Sequence, residues 1–147
     1  MDTRRAGQVM SNLTVLGNKV DGTLTKEQLE FFPAPPHVDH VKFETHEFTS
    51  LCPVTSQPDL YTVIIEYSPN GRCVESKSLK LYLGQWRNEG IFGEAITAQI
   101  ASDLYEVLDA GWVEVKTIQQ ARGGLVMTAV ASRSKPLVYI NGDLTHE

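Results

Sequence analysis

The sequence predicts an α+β fold in which an antiparallel four-stranded sheet carries two helices on one face, in the chain order ββααββ. Two observations carry this reading. Two pairs of short blocks rich in Val, Ile, Phe, Tyr and Thr, Val41 to Phe48 with Leu60 to Tyr67 and Trp112 to Ile118 with Leu125 to Ala131, have strand composition and strand length. Between the pairs the apolar spacing changes from two to three and four, the spacing of helices packed on a core.

Residues 1–40 carry little periodicity and hold Gly7, Gly17, Gly22 and the run Phe32-Pro33-Ala34-Pro35-Pro36, so they read as an irregular arm. The first two strands are separated by Leu51-Cys52-Pro53-Val54-Thr55-Ser56-Gln57-Pro58-Asp59, a structured loop rather than a tight hairpin, and Ser68-Pro69-Asn70-Gly71 closes the second. After an apolar piece at Cys73-Val74, Leu79, Leu83 and Trp86 share one side of a helix whose start Ser76 or Ser78 can cap. A second helix, about Phe92 to Leu108, sets Phe92, Ile96, Ile100, Leu104 and Leu108 at i+4 steps, and Asp109-Ala110-Gly111 stops it with glycine free to turn left-handed. The last two strands join through Ala121-Arg122-Gly123-Gly124, and the tail from Ser132 to Glu147 reads either as a further strand or as a loose end. A four-stranded sheet leaves its edges unpaired, and closing several copies into a ring would pair them, with sites shared at the seams.

The chain has 147 residues, the length of one domain, 1–147, with a core that needs no disulfide or metal staple. Apolar residues at 41% and charged residues at 21% exclude a disordered, collagen-like or coiled-coil chain. The net charge of −5 argues against a broad nucleic-acid-binding surface, which needs clustered cations, while leaving room for a small basic pocket. No apolar stretch approaches the ~20 residues that span a bilayer, and Met1-Asp2-Thr3-Arg4-Arg5 lacks the apolar run of a signal peptide, so a cytoplasmic protein without a membrane partner is expected. Two cysteines, Cys52 and Cys73, are too few for a disulfide framework.

Cys52 sits in a loop of small polar residues seven positions before Asp59, which gives a nucleophile with a proton carrier; the same residue also reads as a small buried hydrophobe. Cys73 lies in an apolar strand piece and reads as packing. Glu75-Ser76-Lys77-Ser78-Leu79-Lys80 places hydroxyls and cations at a strand-to-helix junction, where phosphate can bind, although Lys77 and Lys80 at i and i+3 equally describe a solvated helix face. Arg122 beside Gly123-Gly124 reads as a phosphate contact or an ordinary turn. His37-Val38-Asp39-His40 is a weak metal pattern in a Pro-rich setting, and no metal is assigned.

Taken in order, Phe48 to Asp59, Val74 to Leu83 and Arg87-Asn88-Glu89-Gly90-Ile91-Phe92-Gly93-Glu94 resemble the queuosine-pathway nitrile reductases, the QueF family. The resemblance runs from Leu16-Gly17-Asn18 to Arg122-Gly123-Gly124. It implies the tunnelling fold, a homo-oligomer of two stacked pentameric rings, and reduction of the small deazapurine 7-cyano-7-deazaguanine to its 7-aminomethyl form with NADPH. It implies that Cys52 adds to the nitrile as a thioimide, that Asp59 handles the proton, and that Glu75, Ser76 and Glu94 recognise the base. On the cofactor side it implies Lys77, Ser78, Lys80 and Arg122.

The chain departs from the family in two places. Ser56 stands where the family usually has glycine, and Gly93 where it has a histidine that assists proton delivery. Gly93 cannot donate a proton, so hydride transfer is expected to be slow, and Gly93→His to speed it where the pocket admits the ring. The loss also keeps open an amidinotransferase resembling the archaeal QueF-like proteins, which add ammonia to a nitrile already in tRNA. A non-catalytic module binding a purine- or pterin-like base is the third reading, and it would have no use for Cys52 and Asp59.

Overall fold

The computed structural model describes residues 22–140 and 143–146. Leu16-Gly17-Asn18, Gly7 and Met1 to Arg5 lie outside the described residues.

The described part of the expected arm contains regular structure: a 3₁₀ turn at Lys26–Gln28 and a short strand, β1, Phe31–Pro33. β1 pairs antiparallel with β4, Arg72–Val74, from Phe31↔Val74 to Pro33↔Arg72. Leu24 and Leu29 are buried in the core, which draws the segment onto the body, and the proline-rich composition conceals this because Pro33 sits at the strand's end where no ladder donor is needed.

The main sheet is built from β2, Val41–Leu51, β3, Pro58–Ser68, β5, Trp112–Arg122, and β6, Leu125–Ser134, in the spatial order β2-β3-β5-β6 with every pair antiparallel. Between β4 and β5 the chain forms α1, Ser76–Leu83, a 3₁₀ turn at Gly84–Trp86, and α2, Gly93–Leu108. The period of two decides which face is buried. Tyr61, Val63, Ile65 and Tyr67 of β3 and Val113, Val115, Thr117 and Gln119 of β5 all point to the helices, while Leu60 and Trp112 lie exposed on the other face. Leu79 and Tyr82 of α1 and Ile96, Ile100, Leu104 and Leu108 of α2 close over that buried face. The tail forms a hairpin of β7, Leu137–Ile140, with β8, Asp143–His146. Among the described residues no helix is long and apolar enough to cross a membrane.

Three local expectations are corrected. Glu75, rather than Ser76 or Ser78, caps α1: its carboxylate accepts from the backbone N–H of Lys77 and of Ser78. Asp109, rather than Gly111, takes the left-handed conformation after α2 (φ 49°, ψ 37°), which an aspartate tolerates. Phe92 is the residue before α2 and is 60% exposed, so the buried stripe begins at Ile96. α1 and α2 are tied by a buried hydrogen bond from the Tyr82 hydroxyl to Asp103 Oδ2 at 2.8 Å, and Lys26 of the arm donates to Glu106 at 2.7 Å.

Candidate active site

The residues read as chemical come from five places in the chain, and the sheet brings several of them to one end. Register sets Ser50 against Asp59 on β2 and β3, so the loop that begins at Cys52 starts beside Asp59. Parallel to the end of β2 runs the segment before α2, held by Leu51 N–H donating to the Glu89 carbonyl (2.9 Å) and Ile91 N–H to the Leu51 carbonyl (3.1 Å). This places Gly93 and Glu94, at the start of α2, next to the same loop. Tyr61 opposes Gln119, and Gln119 opposes Met127, so the ends of β5 and β6 form the remaining wall. The result is a cleft of about 430 Å³ onto which Cys52, Asp59, Glu94, Gln119, Arg122 and Met127 open.

The Cys52 loop is a tight, internally bonded turn. Cys52 N–H donates to the Gln57 carbonyl at 2.8 Å and Ser56 N–H to the Cys52 carbonyl at 2.9 Å. Ser56 closes it with φ 57°, in the left-handed region, so a glycine is the less strained residue at this position. The Cys52 thiol is free and half-buried. Hydrogen bonds from the Thr55 hydroxyl and from the Thr55 and Val54 backbone stabilise its thiolate and hold its pKa below the ordinary thiol value, against smaller opposing effects of desolvation and the Asp59 charge.

Asp59 is buried, 4% exposed, and its Oδ1 accepts from Arg122 Nη1 at 2.9 Å. Arg122 also donates through Nη2 to Gln119 Oε1 at 2.8 Å. A guanidinium carries five N–H donors, so these contacts leave Arg122 donors for an anion, and its side chain is 57% exposed.

The other predicted residues divide. Glu94 is exposed on the Cys52 cleft. Ser76 and Lys80 open onto a second cavity, about 360 Å³, lying between β2 and α1 with Arg87 at its wall, and the two cavities share no lining residue. Glu75 opens onto neither: it is 5% exposed with its carboxylate at the cap of α1. Ser78, expected on the cofactor side, is completely buried; its hydroxyl donates to the Glu75 carbonyl at 2.8 Å and accepts from Glu30 N–H at 3.1 Å, so it fastens β1's approach to α1 instead. Lys77, half-buried in the first turn of α1, is not a lining residue of either cavity. Cys73 is buried, as packing requires.

Gly93 is buried against the cleft wall, and the room for a side chain there is taken. A Cβ at this position would lie 2.5 Å from Met127 Cε and 2.9 Å from Tyr61 Cε1. The condition set for Gly93→His to speed reduction, room for the ring, is therefore not met.

Sequence reading missed Gln119, Met127, Leu125 and Phe92, which also line the cleft. For Gln119 a signal existed: it ends the alternating series Val113, Val115, Thr117, where a long polar residue marks the place at which the buried face meets a cavity.

A sequence profile described as QueF-like protein matches residues 58–137. The chain is 44% identical over 116 residues to the NADPH-dependent 7-cyano-7-deazaguanine reductase of Alkalilimnicola ehrlichii, covering 78% of this chain and 90% of that one. It is 42% identical over 142 residues to the protein of the same name from Bacillus subtilis, covering 92% and 85%. Among solved structures, the archaeosine synthase QueF-Like in its apo form matches with a TM-score of 0.58 at 21% identity, over 64% of this chain and 92% of that one, a likeness of fold.

Proposed function

The chain belongs to the QueF-like protein family, and on that premise we propose that it is an NADPH-dependent 7-cyano-7-deazaguanine reductase serving queuosine biosynthesis. The single observation that carries this is the meeting of Cys52, Asp59, Glu94 and Arg122 on one cleft from positions 70 residues apart. Relatives at 42–44% identity carry that activity in their names, whereas the archaeosine synthase shares the fold at 21% identity.

The first step needs a nucleophile and a proton carrier. The Cys52 sulfur forms a bond to the nitrile carbon while one carbon–nitrogen π bond breaks, and the thiol proton ends on nitrogen, giving a thioimide with no change of oxidation state. Hydrogen bonding by Thr55 favours the thiolate that attacks. Asp59 carries the proton: Arg122 engages Oδ1 and leaves Oδ2 for it. Glu94 accepts N–H donors from the guanidine-like edge of the base. When bound, NADPH supplies hydride, and full reduction of a nitrile to an amine takes two equivalents. Arg122, with unspent donors at the cleft, and Lys80, exposed beside Ser76, suit its phosphates, and Lys77 joins them from the first turn of α1. Glu75 and Ser78 act in this reading by fixing the start of α1 rather than by touching a ligand.

The same reading takes the working form as a cytoplasmic homo-oligomer of two stacked pentameric rings. In its support, β6, and β2 apart from the bridge of its last residue Leu51 to Gly90, have no neighbouring strand on their outer edges among the described residues, and Lys80 and Cys52 open onto separate cavities of one chain, which neighbouring copies can join. The test is to incubate the protein with 7-cyano-7-deazaguanine and NADPH and follow nicotinamide absorbance and product mass. NADPH-dependent formation of the aminomethyl product supports the reading; ammonium-dependent product without NADPH overturns it.

A further inference from the structure

Four side chains form one hydrogen-bonded line from the core to the cleft. Tyr61 Oη accepts from Gln119 Nε2 at 3.2 Å, Gln119 Oε1 accepts from Arg122 Nη2 at 2.8 Å, and Arg122 Nη1 donates to Asp59 Oδ1 at 2.9 Å. The two ends of the line differ in freedom. Tyr61 is 1% exposed and set edge-on against Phe48, with ring centroids 5.6 Å apart at 75°. The Arg122 side chain is 57% exposed, and a long cation at that exposure gains little from one carboxylate while losing rotamer freedom to hold it. Gln119, 4% exposed, supplies what the ion pair lacks: it seizes the second amino group and thereby fixes the plane of the guanidinium.

We propose that Gln119 is a positioning residue for the nitrile chemistry: it aligns Arg122 on Asp59, and so aims Asp59 at the bound nitrile, with Tyr61 as the fixed anchor. Gly93 belongs to the same device, because its missing side chain leaves the space that the Tyr61 ring occupies at the back of the cleft. A glutamine amide does this in one residue, accepting from arginine at one end and donating to a phenol at the other. The proposal rests on the reductase reading.

The experiment reads thioimide formation without NADPH. Protein is mixed with a range of 7-cyano-7-deazaguanine concentrations, quenched in acid and weighed intact, so that the maximal adduct rate and the half-saturating concentration are obtained separately. Gln119→Leu, which keeps bulk and loses both bonds, is expected to lower the maximal rate about tenfold or more and to leave half-saturation nearly unchanged. Gln119→Glu keeps an acceptor for Arg122 and recovers most of the rate, while Tyr61→Phe, which removes only the anchor's oxygen, gives a smaller loss. Where Gln119→Leu fails to fold, Gln119→Asn, one methylene short of Arg122, reads the same loss. A wild-type rate in the folded Leu or Asn variant, or a Glu variant no better than Leu, overturns the proposal alone. A wild type that forms no adduct overturns the reductase reading and this proposal with it.

Discussion

Gly93 and Met127 share a space that holds one side chain: a Cβ built on Gly93 would stand 2.5 Å from Met127 Cε. The thioether end is flexible and can withdraw, but the same Cβ would stand 2.9 Å from Cε1 of Tyr61, whose ring is buried and hydrogen-bonded by Gln119. Gly93→His is therefore expected to cost roughly 1–3 kcal/mol of stability by overpacking and to slow adduct formation rather than speed reduction. Met127→Ala in the same chain should recover part of the stability. Thermal melts and adduct rates of the single and double variants check this; a Gly93→His protein of wild-type stability and faster reduction would refute it.

A second expectation concerns pH. Hydrogen bonds to Cys52, the Thr55 hydroxyl's first among them, lower its pKa, so the thiolate persists to lower pH than for an ordinary thiol. The rate of iodoacetamide alkylation at Cys52 should rise with pH and level off below the pH at which a model thiol does. Thr55→Val removes one donor and leaves the backbone contacts, so its profile should move to higher pH and its rate at neutral pH should fall. Coincident profiles would show that Thr55 does not activate the sulfur.

Lys80 stands on a cavity that shares no residue with the Cys52 cleft. If it meets a cofactor phosphate, Lys80→Ala loses a charge-assisted contact and should raise the NADPH KM about tenfold, with the half-saturating nitrile concentration for adduct formation unchanged. A solvated lysine would change neither.

The sheet and helices were legible because each signal was local. Alternation on β3 and β5 and the stripe Ile96, Ile100, Leu104 and Leu108 depend on one periodic element each. What was not legible depends mostly on partners distant in sequence. Ser78 looks like a phosphate ligand beside Lys77, but its hydroxyl answers Glu30, 48 residues earlier. Glu75 is a local case: its carboxylate accepts from the N–H groups of Lys77 and Ser78, two and three residues on, so the capping role hides among residues that also read as recognition groups. At the site, Cys52 and Asp59 lie seven positions apart, in the loop and at the start of the strand after it, and could be paired by spacing, whereas Arg122 reaches Asp59 across 63 positions through the register of β3 and β5. The filled space at Gly93 depends on Tyr61 and Met127, which no motif links to it.

The most direct test is the intact mass of the protein after exposure to 7-cyano-7-deazaguanine alone. Wild type and Cys73→Ala are expected to gain the mass of one nitrile base, because Cys52 carries the nucleophile and Cys73 is buried packing, while Cys52→Ala gains nothing. An adduct of equal yield on Cys52→Ala, or none on wild type, would contradict the assignment of the cleft as a nitrile-reducing site.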